Sequence, residues 1–228
     1  MTRAAVLIAA TLAAQVLGGC LYGTSRPAER EVAPGLLGTA EADDLSVADA
    51  LEGLIVEGRA STADREWAYY ELAHRGPPAS AAAAFARAAT AGRVAQLKGL
   101  NAGALVEEVE RYGRLSRALD PEFRRGAAQR MLATLYVMAP SAMVRHGDSE
   151  TGVELLEELV ARYPEDLENP LRLAEALLTL GDRESALPHL CRASAGRDLL
   201  RRDDRALLEQ LIEEAGRPPC ATLAGPHG

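Results

Sequence analysis

The chain is poor in aromatic residues, which make up 4% of its 228 residues, with one Trp and two Phe. Its core cannot rest on large rings. β-branched residues are sparse as well, and no stretch alternates apolar and polar side chains long enough to claim a strand. Basic residues are in deficit: 25 Lys and Arg face 33 Asp and Glu, for a formal net charge of −8. Nucleic-acid affinity comes largely from cationic side chains on phosphates, so this balance argues against a nucleic-acid partner. No GxSxG, GxxxxGK, GxGxxG, CxxC or HExxH pattern occurs. The four His (His74, His146, His189 and His227) form no pair at metal-ligand spacing. Common hydrolase, phosphate-binding and zinc signatures are thereby excluded. The expectation is a non-enzyme that requires no cofactor.

What the chain has in quantity is Ala and Leu, both strong helix formers. Apolar residues reach 48% and charged residues 25%, the balance of a globular domain with a core. Helical segments follow one another from residue 45. Ser46 is positioned to cap the first and Thr62 the second, which closes at Gly76 before Pro77 and Pro78. Trp67 reads as a core plug in this pair rather than a ligand-stacking ring. Residues 79–98 form an Ala-dense helix in which Gly92 marks a kink or a tight crossing. The next segment carries a stripe of Leu105, Val109, Tyr112, Leu115 and Leu119. Pro121 is placed to open a helix running to about Met138. After an irregular stretch, Asp148 or Ser149 caps a helix that Tyr163 and Pro164 stop. Asn169 and Pro170 begin another, which Gly181 ends. Asp182 caps the next, and Pro188 inside it predicts a kink or a delayed start. A last helix covers 203–216. The fold class expected is all-α, built from antiparallel helix pairs.

The N-terminus has a different character. Arg3 precedes an apolar run over 4–16, too short to span a bilayer comfortably and laid out like a secretory signal. The run ends in LGGC at 17–20, which resembles the bacterial lipobox. That resemblance implies cleavage before Cys20 and acylation of Cys20, anchoring the chain to a membrane at about 0.8 kcal/mol per buried CH₂. Leu21 after the anchor resembles the outer-membrane sorting pattern of enterobacterial lipoproteins, which favours the periplasmic face of the outer membrane. Loss of 1–19 removes Arg3 and no acid, so the body becomes more acidic. The organisation expected is a signal peptide at 1–19, acylated Cys20 and a flexible tether to 44, a helical-repeat domain at 45–215 and a loosely held tail at 216–228. A short N-terminal helix that packs late is the alternative to the tether. Cys191 and Cys220 remain. In an oxidising compartment an even pair points to a disulfide stapling the tail to the last repeat, with two free thiols as the alternative.

Gly181 sits at the turn of one helix pair. Leu173, Ala174 and Leu177 precede it, and Ala186, Leu190 and Ala193 follow at packing positions. This spacing resembles the tetratricopeptide repeat, which stacks two-helix units into a superhelix. The pair before it resembles the repeat too, through Leu132, Ala133 and Tyr136, then Gly152, Leu156, Leu159 and Pro164. An insert around PSAMVRHG opens that pair. A narrower resemblance rests on Gly126, Arg130, Leu132, Leu135, Tyr136, Pro140, Gly147, Asp148, Glu150, Gly152, Glu168, Asn169, Leu173, Ala174 and Glu175. Their order resembles the T component of tripartite (TRAP) periplasmic transporters, which are lipid-anchored helical proteins. It implies a protein partner, a periplasmic solute-binding protein, and a channel for a small solute. A general tetratricopeptide scaffold for outer-membrane or secretion assembly is the alternative, and a second copy of the chain is a further candidate partner. An insert in a repeat maps to one face. Arg130, Met143, Arg145 and His146 are therefore the candidate partner-binding residues. The opposing reading is a loop that only covers helix ends, which Met143 and Val144 would suit. His146 near Asp148 reads as plain loop structure in preference to a proton-transfer site.

Overall fold

Short polar side chains set many of the helix starts in the computed structural model, which describes residues 25–216 and Cys220. The proposed signal peptide 1–19, Cys20, the first tether residues and most of the tail lie outside the described residues. Among the described residues the chain is all-α, with ten α-helices and no strand. These are α1 (Pro34–Leu37), α2 (Asp44–Val56), α3 (Thr62–Ala73), α4 (Ala81–Lys98), α5 (Gly103–Leu119), α6 (Ala127–Met138), α7 (Ser149–Arg162), α8 (Glu168–Thr179), α9 (Arg183–Ala195) and α10 (Arg202–Glu214). Asp148 and Asp182 cap α7 and α9 through the N–H groups of Thr151 and Ser185. The first two caps fall one or more residues earlier than the sequence predicts. Asp43, not Ser46, caps α2, because its carboxylate accepts both the N–H and the hydroxyl of Ser46. Ser61, not Thr62, caps α3 in a reciprocal capping box with Asp64.

The tether is shorter than expected. A 3₁₀ turn at Glu29–Glu31 and α1 pack down, and Val32 and Leu36 are 5% and 1% exposed. Their apolar side chains gain more from burial against Val47, Leu51 and Trp67 than from solvent. The Ala33 N–H donates to Asp64 at 2.7 Å, fixing the segment to α3. Trp67 is fully buried in this cluster, as a core plug.

Consecutive helices pack on one another, most extensively α4 with α5, α6 with α7 and α8 with α9. Alternate helices also meet, α2 with α4, α6 with α8 and α8 with α10. The end of the stack returns to its beginning, since α10 touches α2. The large core joins α6 to α10 through Leu132, Tyr136, Leu156, Leu173, Leu190 and Leu208. A second core lies around α1 to α4, and a third, smaller one around Tyr69, Val94 and Leu105 lies between them. Close approach replaces bulk at the α6–α7 crossing. A Cβ on Gly152 would meet the Ala133 carbonyl and Val137 Cγ2, both at 2.7 Å. Helix α4 runs unbroken through Gly92, facing Val109. Pro188 lies inside α9 without delaying its start. The α5 stripe departs from expectation: Glu108, Glu110, Gly113 and Ser116 are buried on it, and Leu119 is half exposed.

Pro121 does not open a helix. Residues 120–126 form a turn in which Arg124, Arg125 and Gly126 have φ of 47°, 57° and 77°. A non-glycine residue in the left-handed region costs on the order of 1–3 kcal/mol, and persists only where its surroundings hold it. Arg124 donates two hydrogen bonds to the Asp49 carboxylate, at 2.7 and 2.6 Å. Arg125 pairs with Glu165 and lies 5.0 Å over the Tyr163 ring. Cys191 on α9 and Cys220 are joined in a disulfide with Cα atoms 5.0 Å apart.

Three outcomes follow from this packing. In a denaturant titration Gly152→Ala is expected to lose about 1–3 kcal/mol, because one of the neighbours it strikes is backbone. Gly53→Ala, with open space around it in α2, gains up to about 1 kcal/mol in the same denaturant titration. Cys191→Ser should cost about 3–4 kcal/mol, seen as a lower thermal midpoint under non-reducing conditions.

Candidate partner-binding site

The insert leaves α6 at Ala139, makes a 3₁₀ turn at Ser141–Met143 and reaches the α7 cap at Asp148. It is held by one carboxylate. Glu110 of α5, its side chain 2% exposed, accepts the Arg145 N–H at 3.0 Å and the His146 N–H at 2.7 Å. His146 Nδ1 stands 3.4 Å from the same carboxylate. Burial alone pushes the Glu110 carboxyl up. The N–H groups of Arg145 and His146, then the His146 ring, outweigh it and leave the carboxyl below its ordinary value. Under the loop, the Tyr136 hydroxyl is pushed up to about 12 by burial, then by the charge of Glu110 and a hydrogen bond to it. A Cβ on Gly147 would strike the Tyr136 ring, so glycine lets the loop cross that ring.

The structure divides the candidate residues. Arg145 and His146 are exposed, at 66% and 52% of their side chains, and Arg145 pairs with Glu107 at 3.2 Å. Met143 turns inward and packs, with Val144, on the large core. The loop thus covers helix ends with one pair of residues and presents the next pair to solvent. Arg130 leaves the set. It lies near the opposite end of α6, about 12 Å from Met138 by helical rise. Its side chain is 12% exposed, and its guanidinium donates to Asn169 Oδ1 at 2.8 Å and pairs with Glu168 at 3.1 Å and Asp166 at 3.7 Å. Asp166, before α8, and Glu168, at its start, neutralise it and hold it inward, so little of it reaches solvent.

Three residues join the site that sequence reasoning missed. Glu110 is one, and its signal is legible in retrospect: Val106 and Gly113, at i−4 and i+3, bracket it on a buried face. Met138 and Leu180, 50% and 47% exposed, are the others. They belong to one edge, because the hydroxyl of Thr179 reaches Met138 Sδ at 3.6 Å. Their exposure depends on helix ends meeting in space, which no local pattern reveals. Exposed Met and Arg side chains suit protein recognition, since both are enriched where proteins meet.

A separate cleft of about 230 Å³ lies between the α7–α8 turn and the start of α10. Glu165, Asp166, Glu168, Leu199, Arg201 and Asp204 line it. Its acids are already countered. Arg172 donates to Asp204 at 2.7 Å, and Arg201 lies 3.2 Å from the same carboxylate. Burial holds the Asp204 carboxyl up in spite of both cations. Among the described residues no group of His, Cys, Asp and Glu is arranged to hold a metal ion, and no helix is long and apolar enough to cross a membrane. No family model matches the chain, and no curated protein is similar to it in sequence.

Glu110→Gln is expected to cost about 1–3 kcal/mol, since it removes the buried charge that two part-buried N–H groups share. Amide exchange at Arg145 and His146 should accelerate. The folded carboxyl lies below its ordinary value, so its contribution is complete above the usual carboxylate range and fades as pH falls through the lowered value. The variant should therefore show a flatter acid limb in stability against pH.

Proposed function

We propose that this chain is a lipid-anchored helical adaptor on the periplasmic side of a bacterial membrane, and that it docks a protein partner on the edge formed by the insert. The observation that carries the reading is the Glu110 clamp. It fixes the backbone of the insert before any partner arrives, while the Arg145 and His146 side chains stay in solvent. A surface ordered in advance loses little freedom on binding, which favours affinity from a small contact. The lipobox-like LGGC supports the anchor, and the transporter T-component resemblance over 126–175 supports a periplasmic solute-binding protein as the partner.

The test is a native pull-down from detergent-solubilised membranes. The unmodified chain should recover a solute-binding protein. Arg145→Glu with His146→Glu should lower that recovery at least tenfold, about 1.4 kcal/mol of binding, with an unchanged far-UV circular dichroism spectrum. Unchanged recovery would remove the insert from the interface. Recovery of outer-membrane assembly proteins alone would favour the general scaffold.

A further inference from the structure

We propose that the chain is closed by an ionic latch between α2 and the elements facing it, and that this latch opens in solution as ionic strength rises. The N-terminal core holds no side chain from α10, and the C-terminal core holds none from α2. The two helices nevertheless touch. The contacts recorded there are polar. Arg202 donates to the Glu57 carbonyl, at the C-terminal end of α2, at 3.2 Å. Arg201 Nη1 stands 4.0 Å from Glu52. Close by in the chain's middle, Arg124 grips Asp49 of α2 with two hydrogen bonds.

Apolar seams resist salt, but α2 and α10 share no apolar core; the ring contact beside the latch, Phe123 on Phe85 at 5.6 Å, ties the turn to α4 and not α2 to α10. The Arg124 and Asp49 side chains are 41% and 46% exposed. Screening shortens their reach from about 10 Å at 0.1 M salt to about 3 Å at 1 M. The turn that carries Arg124 is a joint with an arm on each side: Arg124 holds α2, and Arg125 holds Glu165 in the C-terminal half. Both arms keep left-handed backbone in place, so release of Asp49 lets Arg124 relax to an ordinary conformation. The parting surface is set by the disulfide. Cys220, beyond α10, is bonded to Cys191 of α9, which keeps α10 with its own half. Opening therefore separates α2 from α10. It uncovers the Glu52 and Arg93 pair, each now 24% exposed, and parts Arg201 from Glu52, leaving it on Asp203 and Asp204 in the wall of the acidic cleft. Access to this charged wall then varies with ionic strength, independently of what docks on the insert.

The test is a distance measurement by pulsed dipolar spectroscopy in a Cys20→Ser chain, whose remaining native cysteines are the bonded pair. Nitroxides are placed at Gly53→Cys, which has open space around it, and at Gln210→Cys on the exposed side of α10. The expected result is a single short distance at 0.1 M salt. Adding Asp49→Arg, or raising salt to 1 M, lengthens it by about 5 Å or more, the scale of a one-turn shift. The reciprocal pair Asp49→Arg with Arg124→Asp restores the short distance. One unchanged distance in all of these samples overturns the proposal, and so does a swap that fails to restore closure while circular dichroism shows intact helices.

Discussion

Helix backbones in this protein have to approach closely, and the remaining features follow from that constraint. With few rings available, the interior is filled by Ala and Leu. On α4, Ala84, Ala86, Ala88 and Ala91 are fully buried. Each removes little apolar area from water, so each contributes little by area alone. Ala loses no side-chain freedom in a helix and allows a neighbouring helix near enough for dense contact. Gly113 against Leu132 and Gly152 against the Ala133 carbonyl carry the same logic to its limit. A thin core of this kind is specified by where small residues fall, which is why one added methyl group at Gly152 matters more than an exposed change.

Arginine supplies what the thin core does not. Every basic residue except Lys98 is an arginine. A guanidinium can satisfy two acceptors at once in a fixed geometry. Arg87 is buried and donates to the carbonyls of Leu72 and Ala73 at the end of α3, at 2.7 and 2.9 Å. Those carbonyls lie in the last turn of α3, where a helix runs short of its own donors, and the Leu72 carbonyl also accepts the Arg75 N–H at 3.3 Å. Arg75 does the same for Ala40 and Ala42 while pairing with Asp44. Arg172 ties α8 to α10 through Asp204. The acidic balance of the chain gives these cations partners inside the fold, and the remaining negative charge lies on the helix faces in water.

The insert follows the same principle on a smaller scale. A single carboxylate on α5 gathers two backbone N–H groups from a segment that has no regular ladder of its own. Below it, Met143 and Val144 join the core; above it, Arg145 and His146 do not. A loop ordered from beneath in this way is rigid without being buried. That combination is why the proposed docking edge is placed there and not at the acidic cleft, whose charged groups are already engaged with one another.

Helix content, most stops and the later caps were legible in the sequence because they are local. Asp148, Asp182, Gly181 and the Tyr163–Pro164 break act within a few residues of themselves. The pairing of Cys191 with Cys220 was legible as arithmetic. The early caps were misplaced because neighbouring polar residues, Asp43 against Ser46 and Ser61 against Thr62, compete for the same N–H groups and differ only in geometry. Arg130 was misjudged because its partners Asp166, Glu168 and Asn169 lie more than 35 positions away in the chain. The sequence by itself determined an all-α chain with an acidic balance and an Ala-rich, closely packed interior, since propensity and composition are properties of residues. The tertiary structure decided which carboxylate clamps the insert, which arginines face water and where α10 meets α2. Those depend on distances between helices, and no periodicity along the chain encodes them.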